Sequence, residues 1–74
     1  MHLSDLKVHE SAKITAINVE GILRDRLLDM GLTPRTLVTL VKIAPMGDPI
    51  EIKLRGYSLT LRLEDAGFIE IERV

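Results

Sequence analysis

The chain has 74 residues, so it can form one small domain that buries about 60% of the surface of its unfolded chain. Hydrophobic residues make up 46% of it but aromatic residues only 3%, so the core must consist of Leu, Ile and Val. The absence of cysteine excludes disulfides and thiolate metal sites, and the net charge of −1 gives no overall attraction to nucleic acid. No apolar run of about 18 residues and no signal peptide is visible, which predicts a soluble intracellular protein.

The chain begins with a polar segment followed by a first predicted strand. Leu3 and Leu6 are the apolar anchors of the polar segment. Residues 14–19 (ITAINV) are rich in β-branched side chains, which favour a strand. Glu20 and Gly21 are expected to end it.

A short amphipathic helix is predicted next. Leu23, Leu27 and Met30 recur at i, i+4 and i+7 and therefore lie on one face. Gly31 stands where this helix should end, because glycine adopts a positive φ at no steric cost, and Leu32 can then pack back on Leu27. The proline that follows prevents the helix from resuming, because the residue before a proline is disfavoured in the α region.

The second predicted strand, Leu37–Ile43, is apolar on both faces. Val38 and Leu40 share one face. The other face consists of Leu37, Thr39, Val41 and Ile43. A half-buried strand needs only one apolar face, so the protein's own helix, the loop that follows or a binding partner must cover the second.

The loop after this strand extends the candidate surface. Residues 44–49 contain two prolines and one glycine, which is typical of a loop. Together with the outward side of the strand it forms a hypothetical partner-binding surface. Its residues are Leu37, Val41, Ile43, Pro45 and Met46.

Residues 50–63 show the alternation that is typical of a half-buried β-hairpin. With Arg55 and Gly56 as a two-residue turn, the register pairs Leu54 with Tyr57, Ile52 with Leu59 and Ile50 with Leu61. This register places every apolar side chain on the same side. Arginine is not the preferred residue at the first turn position, so the type of turn stays open.

The chain ends with a turn and a last strand. Residues 64–67 (EDAG) predict a turn or a single turn of helix, and residues 68–74 predict a strand with Ile69 and Ile71 pointing inwards. Five short strands without β-α-β alternation predict a mainly β, single domain over residues 1–74. The best match is a small five-stranded SH3-like barrel with one α-helix inserted between strands 1 and 2.

The residues give little support for catalysis or metal binding. Both histidines lie near the N-terminus and the three serines are scattered, so no nucleophile, base and orienting group are expected to converge. Asp25 and Asp29 share a helix face, and Glu70 and Glu72 share a strand face, but a hard cation needs several further oxygen ligands. No catalytic residue, cofactor or metal site is therefore predicted.

Basic side chains raise the alternative of a small nucleic-acid-binding barrel. Lys53, Arg55 and Arg62 fall on one outer face, but Glu51 lies among them and no aromatic side chain accompanies them. A solvated face of mixed charge is favoured over an RNA site. Arg26, on the helix, is expected to pair with a carboxylate such as that of Asp29 or to tether a loop.

As an ordered set, these motifs resemble the ferrous iron transport protein A (FeoA) family over residues 6–71. The family pattern falls here on Arg24, Arg26, Leu27, Met30, Gly31, Leu32, Gly47, Pro49, Gly56, Leu61 and Arg62. The residues that carry the structural motif are Arg26, Leu27, Met30, Gly31, Gly47, Pro49 and Gly56. At one position the sequence departs, because the family's turn glycine is Arg35 here. That turn can be of a different type, and Arg35 can present a new exposed charge.

The resemblance implies an SH3-like barrel that serves as a small, noncatalytic cytoplasmic accessory of a membrane ferrous iron permease (FeoB). It implies recruitment to the inner face of the membrane, without insertion, and docking to the cytosolic GTP-binding part of that permease. A similar domain occurs at the C-terminus of some metal-dependent repressors. A metal-sensing interaction domain therefore stays open as an alternative, beside the nucleic-acid-binding barrel.

Overall fold

Five antiparallel strands form one sheet in the computed structural model, which describes residues 1–74. The strands are β1 (Ser11–Ile17), β2 (Leu37–Ile43), β3 (Ile50–Leu54), β4 (Tyr57–Leu61) and β5 (Ile69–Arg73). The helical elements are a 3₁₀ turn (Leu3–Asp5), α1 (Ile22–Asp29) and α2 (Leu63–Ala66). The order of the strands in the sheet is β4-β3-β2-β1-β5. Along the chain, α1 lies between β1 and β2 as predicted. None of the helices is long and apolar enough to cross a membrane.

The core is a single cluster of buried aliphatic side chains without any aromatic ring, as the composition predicted. Its members are Leu3, Leu6, Ala12, Ile14, Ile17, Leu27, Leu32, Val38, Leu40, Ile50, Ile52, Leu54, Leu61, Ala66, Ile69 and Ile71. The two N-terminal leucines are buried in it, which confirms their prediction as anchors. The predicted inward pair of the last strand is buried as well.

The hairpin β3–β4 has the predicted register. The cross-strand partners are Ile50 with Leu61, Ile52 with Leu59 and Leu54 with Tyr57. Arg55 has φ 50° and Gly56 has φ 84°, which identifies a type I′ turn. The arginine is held there by its guanidinium Nη2, which donates to Thr33 Oγ1 at 2.8 Å and to Thr36 Oγ1 at 3.0 Å. These bonds help to offset an unfavourable backbone conformation.

Strand β1 begins earlier than predicted. Residues 11, 12 and 13 pair with residues 39, 38 and 37 of β2, and the hydroxyls of Ser11 and Thr39 lie 2.7 Å apart. The strand ends at Ile17 rather than at Val19. The bounds therefore follow from pairing with a distant strand, which β-propensity alone does not report.

A β-bulge changes the faces of β2 and corrects the prediction of one continuous outward face. Leu40 pairs with Ile52, but the next pair joins Lys42 to Glu51, so Val41 is the extra residue. Ile43 then pairs with Ile50 and points to the same side as that buried residue. Leu37, Val41 and Ile43 consequently do not share one outward face.

Helix α1 ends at the predicted glycine. Gly31 has φ 97°, its N–H donates to the carbonyl of Leu28 at 2.9 Å, and the N–H of Leu32 donates to the carbonyl of Leu27 at 3.1 Å. These two bonds define a Schellman motif. The Tyr57 hydroxyl donates to the carbonyl of residue 30, so the hairpin also closes this helix end.

The turn that carries Arg35 keeps the geometry that suits glycine. Arg35 has φ 74°, and the N–H of Thr36 donates to the carbonyl of Thr33 at 3.2 Å. With Pro34 at the second position, this is the pattern of a type II turn, whose third position favours glycine. Arg35 therefore occupies a turn position that suits glycine, and its side chain adds an exposed positive charge.

Candidate protein-docking surface

The structure separates the predicted partner-binding residues into two groups. Leu37 is 53% exposed at the start of β2, and Ile43 is 39% exposed at its end. Seven residues of strand place them about 20 Å apart at the usual rise per residue. Val41, between them, is half-buried. The predicted surface is therefore not one continuous patch, because its residues lie at the two opposite ends of β2.

Apolar side chains gather at the end of the sheet where β2 connects to β3. Met46, in the loop, is 92% exposed, and Ile43 and Leu63 are each 39% exposed. Pro45 and Pro49 are exposed in the same loop. These five residues are called the apolar rim. An exposed cluster of this kind is typical of an interaction surface.

Hydrogen bonds hold the loop of the apolar rim in place. The N–H of Ala44 donates to the carbonyl of Pro49 at 3.0 Å, and the N–H of Gly47 donates back to the carbonyl of Ala44 at 2.7 Å. Asp48 Oδ1 accepts the N–H of Leu63 at 2.9 Å, which satisfies a free donor at the start of α2. The rim is therefore a preformed surface. Neither Asp48 nor Leu63 was predicted to belong to this surface, because no local pattern reveals a cap that acts across 15 positions.

The residues of the structural motif do not all have the predicted contacts. Leu27 is fully buried, and Gly47 lies in the predicted loop with a φ of 88°. Arg26 is exposed and forms neither of the two expected contacts. The tether comes from Arg24 instead, whose Nη1 donates to the carbonyl of Ile17 at 2.9 Å. Which of two arginines on a helix reaches back depends on how the helix crosses the sheet.

Two depressions mark the surface, and the larger one, with a volume of about 430 Å³, has a mostly polar lining. The one beside the apolar rim has a volume of about 160 Å³, below the several hundred Å³ of typical ligand pockets. Its lining consists of Lys42, Ala44, Pro49, Ile50, Glu51 and Thr60. The other lies between the two helices and mixes both signs of charge. Its lining consists of Leu23, Arg26, Arg62, Glu64, Asp65 and Phe68.

Polar side chains with catalytic or metal-binding potential lie apart. No three His, Asp or Glu side chains form a group that could hold a metal ion. Glu70 accepts a hydrogen bond from the amide of Asn18, away from the exposed Asp25 and Asp29. One histidine lies near a carboxylate: His2 Nδ1 is 3.9 Å from Asp5 Oδ2, and both side chains are on the surface.

The three basic residues considered for nucleic acid do not form one group, because Arg62 lies apart from Lys53 and Arg55. Arg55 is bound to two threonine hydroxyls. Lys53 lies opposite Ser58 near the turn of the hairpin, whereas Arg62 follows the far end of β4. No aromatic side chain lies on that outer face to stack on a base, since Tyr57 reaches back to helix α1.

Known proteins match this chain in sequence and in structure. The FeoA domain family model matches residues 1–73. A curated relative, the Fe(2+) transport protein A/Fe(2+) transporter FeoB fusion protein of Porphyromonas gingivalis, is 36% identical over 74 residues. That alignment covers 100% of this chain but only 9% of the relative's length.

Solved structures share the fold. The solution structure of iron(II) transport protein A from Clostridium thermocellum matches with a TM-score of 0.96 at 39% identity, covering 100% of this chain and 46% of that one. The crystal structure of Stenotrophomonas maltophilia FeoA complexed with zinc, a prokaryotic SH3 domain protein, matches with a TM-score of 0.85 at 24% identity. The match covers 97% of this chain and 89% of that one. At this low identity it establishes a shared fold and nothing about function. The prediction of an SH3-like barrel with an inserted helix is confirmed.

Proposed function

The chain belongs to the FeoA family, which is linked to ferrous iron transport, and from this premise we propose that it is a noncatalytic accessory of a FeoB-type iron permease. It docks to the cytosolic GTP-binding part of that permease. The observation that supports this is the fusion in Porphyromonas gingivalis, where a segment 36% identical to this chain belongs to a FeoA/FeoB polypeptide. Fusion raises the effective concentration of two modules that act together.

The apolar rim is the surface we assign to this docking. Met46 is 92% exposed and can insert into a cavity of the partner without any rearrangement of the core. The two exposed prolines restrict the loop before binding, so less conformational entropy is lost on docking. Of the predicted surface, Ile43, Pro45 and Met46 belong to this rim, whereas Leu37 and Val41 do not.

Binding to the purified cytosolic part of a FeoB-type permease tests the proposal, measured by isothermal titration calorimetry without lipid. We expect a micromolar dissociation constant for the unchanged protein. Met46→Glu places an unpaired carboxylate in the contact, which should cost several kcal/mol and lower the affinity about 100-fold or more. The fold should be unaffected, because this side chain packs against nothing in the protein's core.

Leu37→Glu is the matched control, because it also replaces an exposed apolar residue by glutamate, at the other end of the strand. It should bind the permease part with unchanged affinity. No binding by the unchanged protein would overturn the proposed function. Equal losses for Met46→Glu and Leu37→Glu would show that the apolar rim is not the docking surface.

A further inference from the structure

Positive charge surrounds Leu37, at the end of the sheet opposite the apolar rim. Lys13 lies directly across from Leu37 on β1, and Lys53 lies across from the residue two positions further along β2. The Arg55 guanidinium donates a hydrogen bond to the hydroxyl of Thr36, which precedes Leu37. Arg35 comes just before Thr36. Leu37 and the four basic side chains are all exposed. These five residues are called the cationic end.

The charges of the cationic end are not neutralised by a carboxylate of the protein. The two ion pairs of the structure join His2 to Asp5 and Arg73 to Glu10, so none of the four cations is paired with a carboxylate within 4.0 Å. Glu72 lies across from Lys13 on β5 without forming an ion pair with it. The cationic end therefore has four unpaired positive charges around one exposed leucine.

Two of these cations are displayed in backbone conformations that disfavour any side chain. Arg35 has φ 74° and Arg55 has φ 50°, and both positions belong to turn types that prefer glycine, asparagine or aspartate. Strained conformations that persist are concentrated at functional sites, so the observed outliers motivate a functional hypothesis. Hydrogen bonds to Thr33 and Thr36 offset part of this cost for Arg55, whereas the side chain of Arg35 forms none.

We propose that the cationic end contacts the anionic lipid surface of the membrane while the apolar rim is bound to the permease. This inference rests on the proposed function, which brings the protein close to a membrane. Neither surface depression includes any of the five residues, so the cationic end is not a small-molecule pocket. An exposed apolar side chain ringed by Lys and Arg is the pattern of interfacial membrane contacts.

Charge complementarity favours lipid over an acidic protein surface. Each Lys or Arg near an anionic bilayer adds a modest, independent attraction that needs no matching geometry. Four cations from β1, from the hairpin and from the turn before β2 meet that requirement. One such weak signal does not anchor a protein by itself, but it strengthens recruitment when a second contact exists. The permease supplies that second contact.

Vesicle binding of the full chain tests this inference without the permease. Vesicles of equal parts phosphatidylglycerol and phosphatidylcholine should bind the protein at low ionic strength, and pure phosphatidylcholine vesicles should not. Added salt should weaken the binding, because exposed charges are screened. Arg35→Gly should lower the partition coefficient about fivefold, the effect of one cation near the surface. Its melting temperature should not fall, because glycine suits the turn.

Lys53→Gln should give a similar reduction, and Arg62→Gln is the control because it removes one exposed charge outside the cationic end. Equal binding to both kinds of vesicle, or an equal loss with Arg62→Gln, would overturn the inference. So would an Arg35→Gly variant that binds vesicles normally but binds the permease part more weakly, since the occupant would then be a protein surface. The permease titration contains no lipid, so the proposed function and this inference can fail separately.

Discussion

The two ends of β2 present different chemistry although five of the seven residues of the strand are aliphatic. At one end, Met46 and two prolines extend the apolar character of the strand into solvent. At the other end, four cations surround Leu37. The bulge at Val41 separates the two ends, because it turns Ile43 to the core side while Leu37 stays on the outer side.

The difference teaches that the neighbouring turns, not the strand, decide what each end can bind. The loop of the apolar rim places a glycine at its positive-φ position, Gly47, and has no strained side chain. The cationic end places Arg35 and Arg55 at such positions. The cationic end therefore has two side chains in left-handed backbone conformations, whereas the loop of the rim has none. The following substitutions test that contrast, in order of decreasing effect.

Gly31→Ala should be the most destabilising change. The new Cβ would lie against Tyr57, next to the hairpin turn that carries Arg55. A Cβ at φ 97° is strained by about 1–2 kcal/mol and would also overlap the Tyr57 hydroxyl. Moving that hydroxyl would break its bond to the carbonyl of Met30, worth about 1 kcal/mol. A total of about 2–3 kcal/mol corresponds to a fall of roughly 8–24 °C in melting temperature for a domain of this size.

Combining Gly31→Ala with Tyr57→Phe separates the two causes. The phenylalanine removes the oxygen that the new Cβ would meet, so only the backbone strain should remain. The double variant should then lose less stability than the sum of the two single variants. Simple additivity in a thermal melt would show that the tyrosine does not limit this position.

Asp48→Ala should have an intermediate effect, at the apolar rim. The carboxylate accepts the first N–H of α2, and loss of a helix cap costs about 1 kcal/mol. We expect a fall of roughly 4–8 °C in melting temperature and weaker binding to the permease part. Asp48→Asn keeps a carbonyl oxygen as acceptor and should be close to unchanged in both measurements. If the alanine variant binds normally, the loop does not need α2 to present Met46.

The parts of this fold that local sequence determines were predictable. The β3–β4 register follows from alternation around Gly56, and the end of α1 follows from Gly31 behind an amphipathic repeat. Features that depend on distant partners were not. The bulge at Val41 is a property of the pairing with β3, and no pattern within β2 signals it. The link from Asp48 to α2 and the choice of Arg24 as the tether likewise arise only once the elements have packed.

For the same reason, the candidate surface was predicted only in part. Ile43, Pro45 and Met46 are exposed at one end as expected, but Leu37 lies at the other end among charges that come from β1 and from the hairpin. The departure at Arg35 was visible in the sequence. Its meaning was not, because the type of turn and the position of the hairpin beside it are tertiary facts.

Arg35→Gly should have the smallest effect and the opposite sign. Relief of a left-handed side chain is worth about 1–2 kcal/mol, and glycine's greater freedom in the unfolded chain takes back about 0.5–1 kcal/mol. The arginine side chain forms no hydrogen bond or ion pair that would be lost. A net gain of about 0.5–1 kcal/mol should raise the melting temperature by roughly 2–8 °C. Arg35→Ala keeps the strain and removes only the charge, so it should melt like the unchanged protein. If Arg35→Gly melts lower, the arginine stabilises the turn, and the strain at the cationic end has a structural rather than a functional origin.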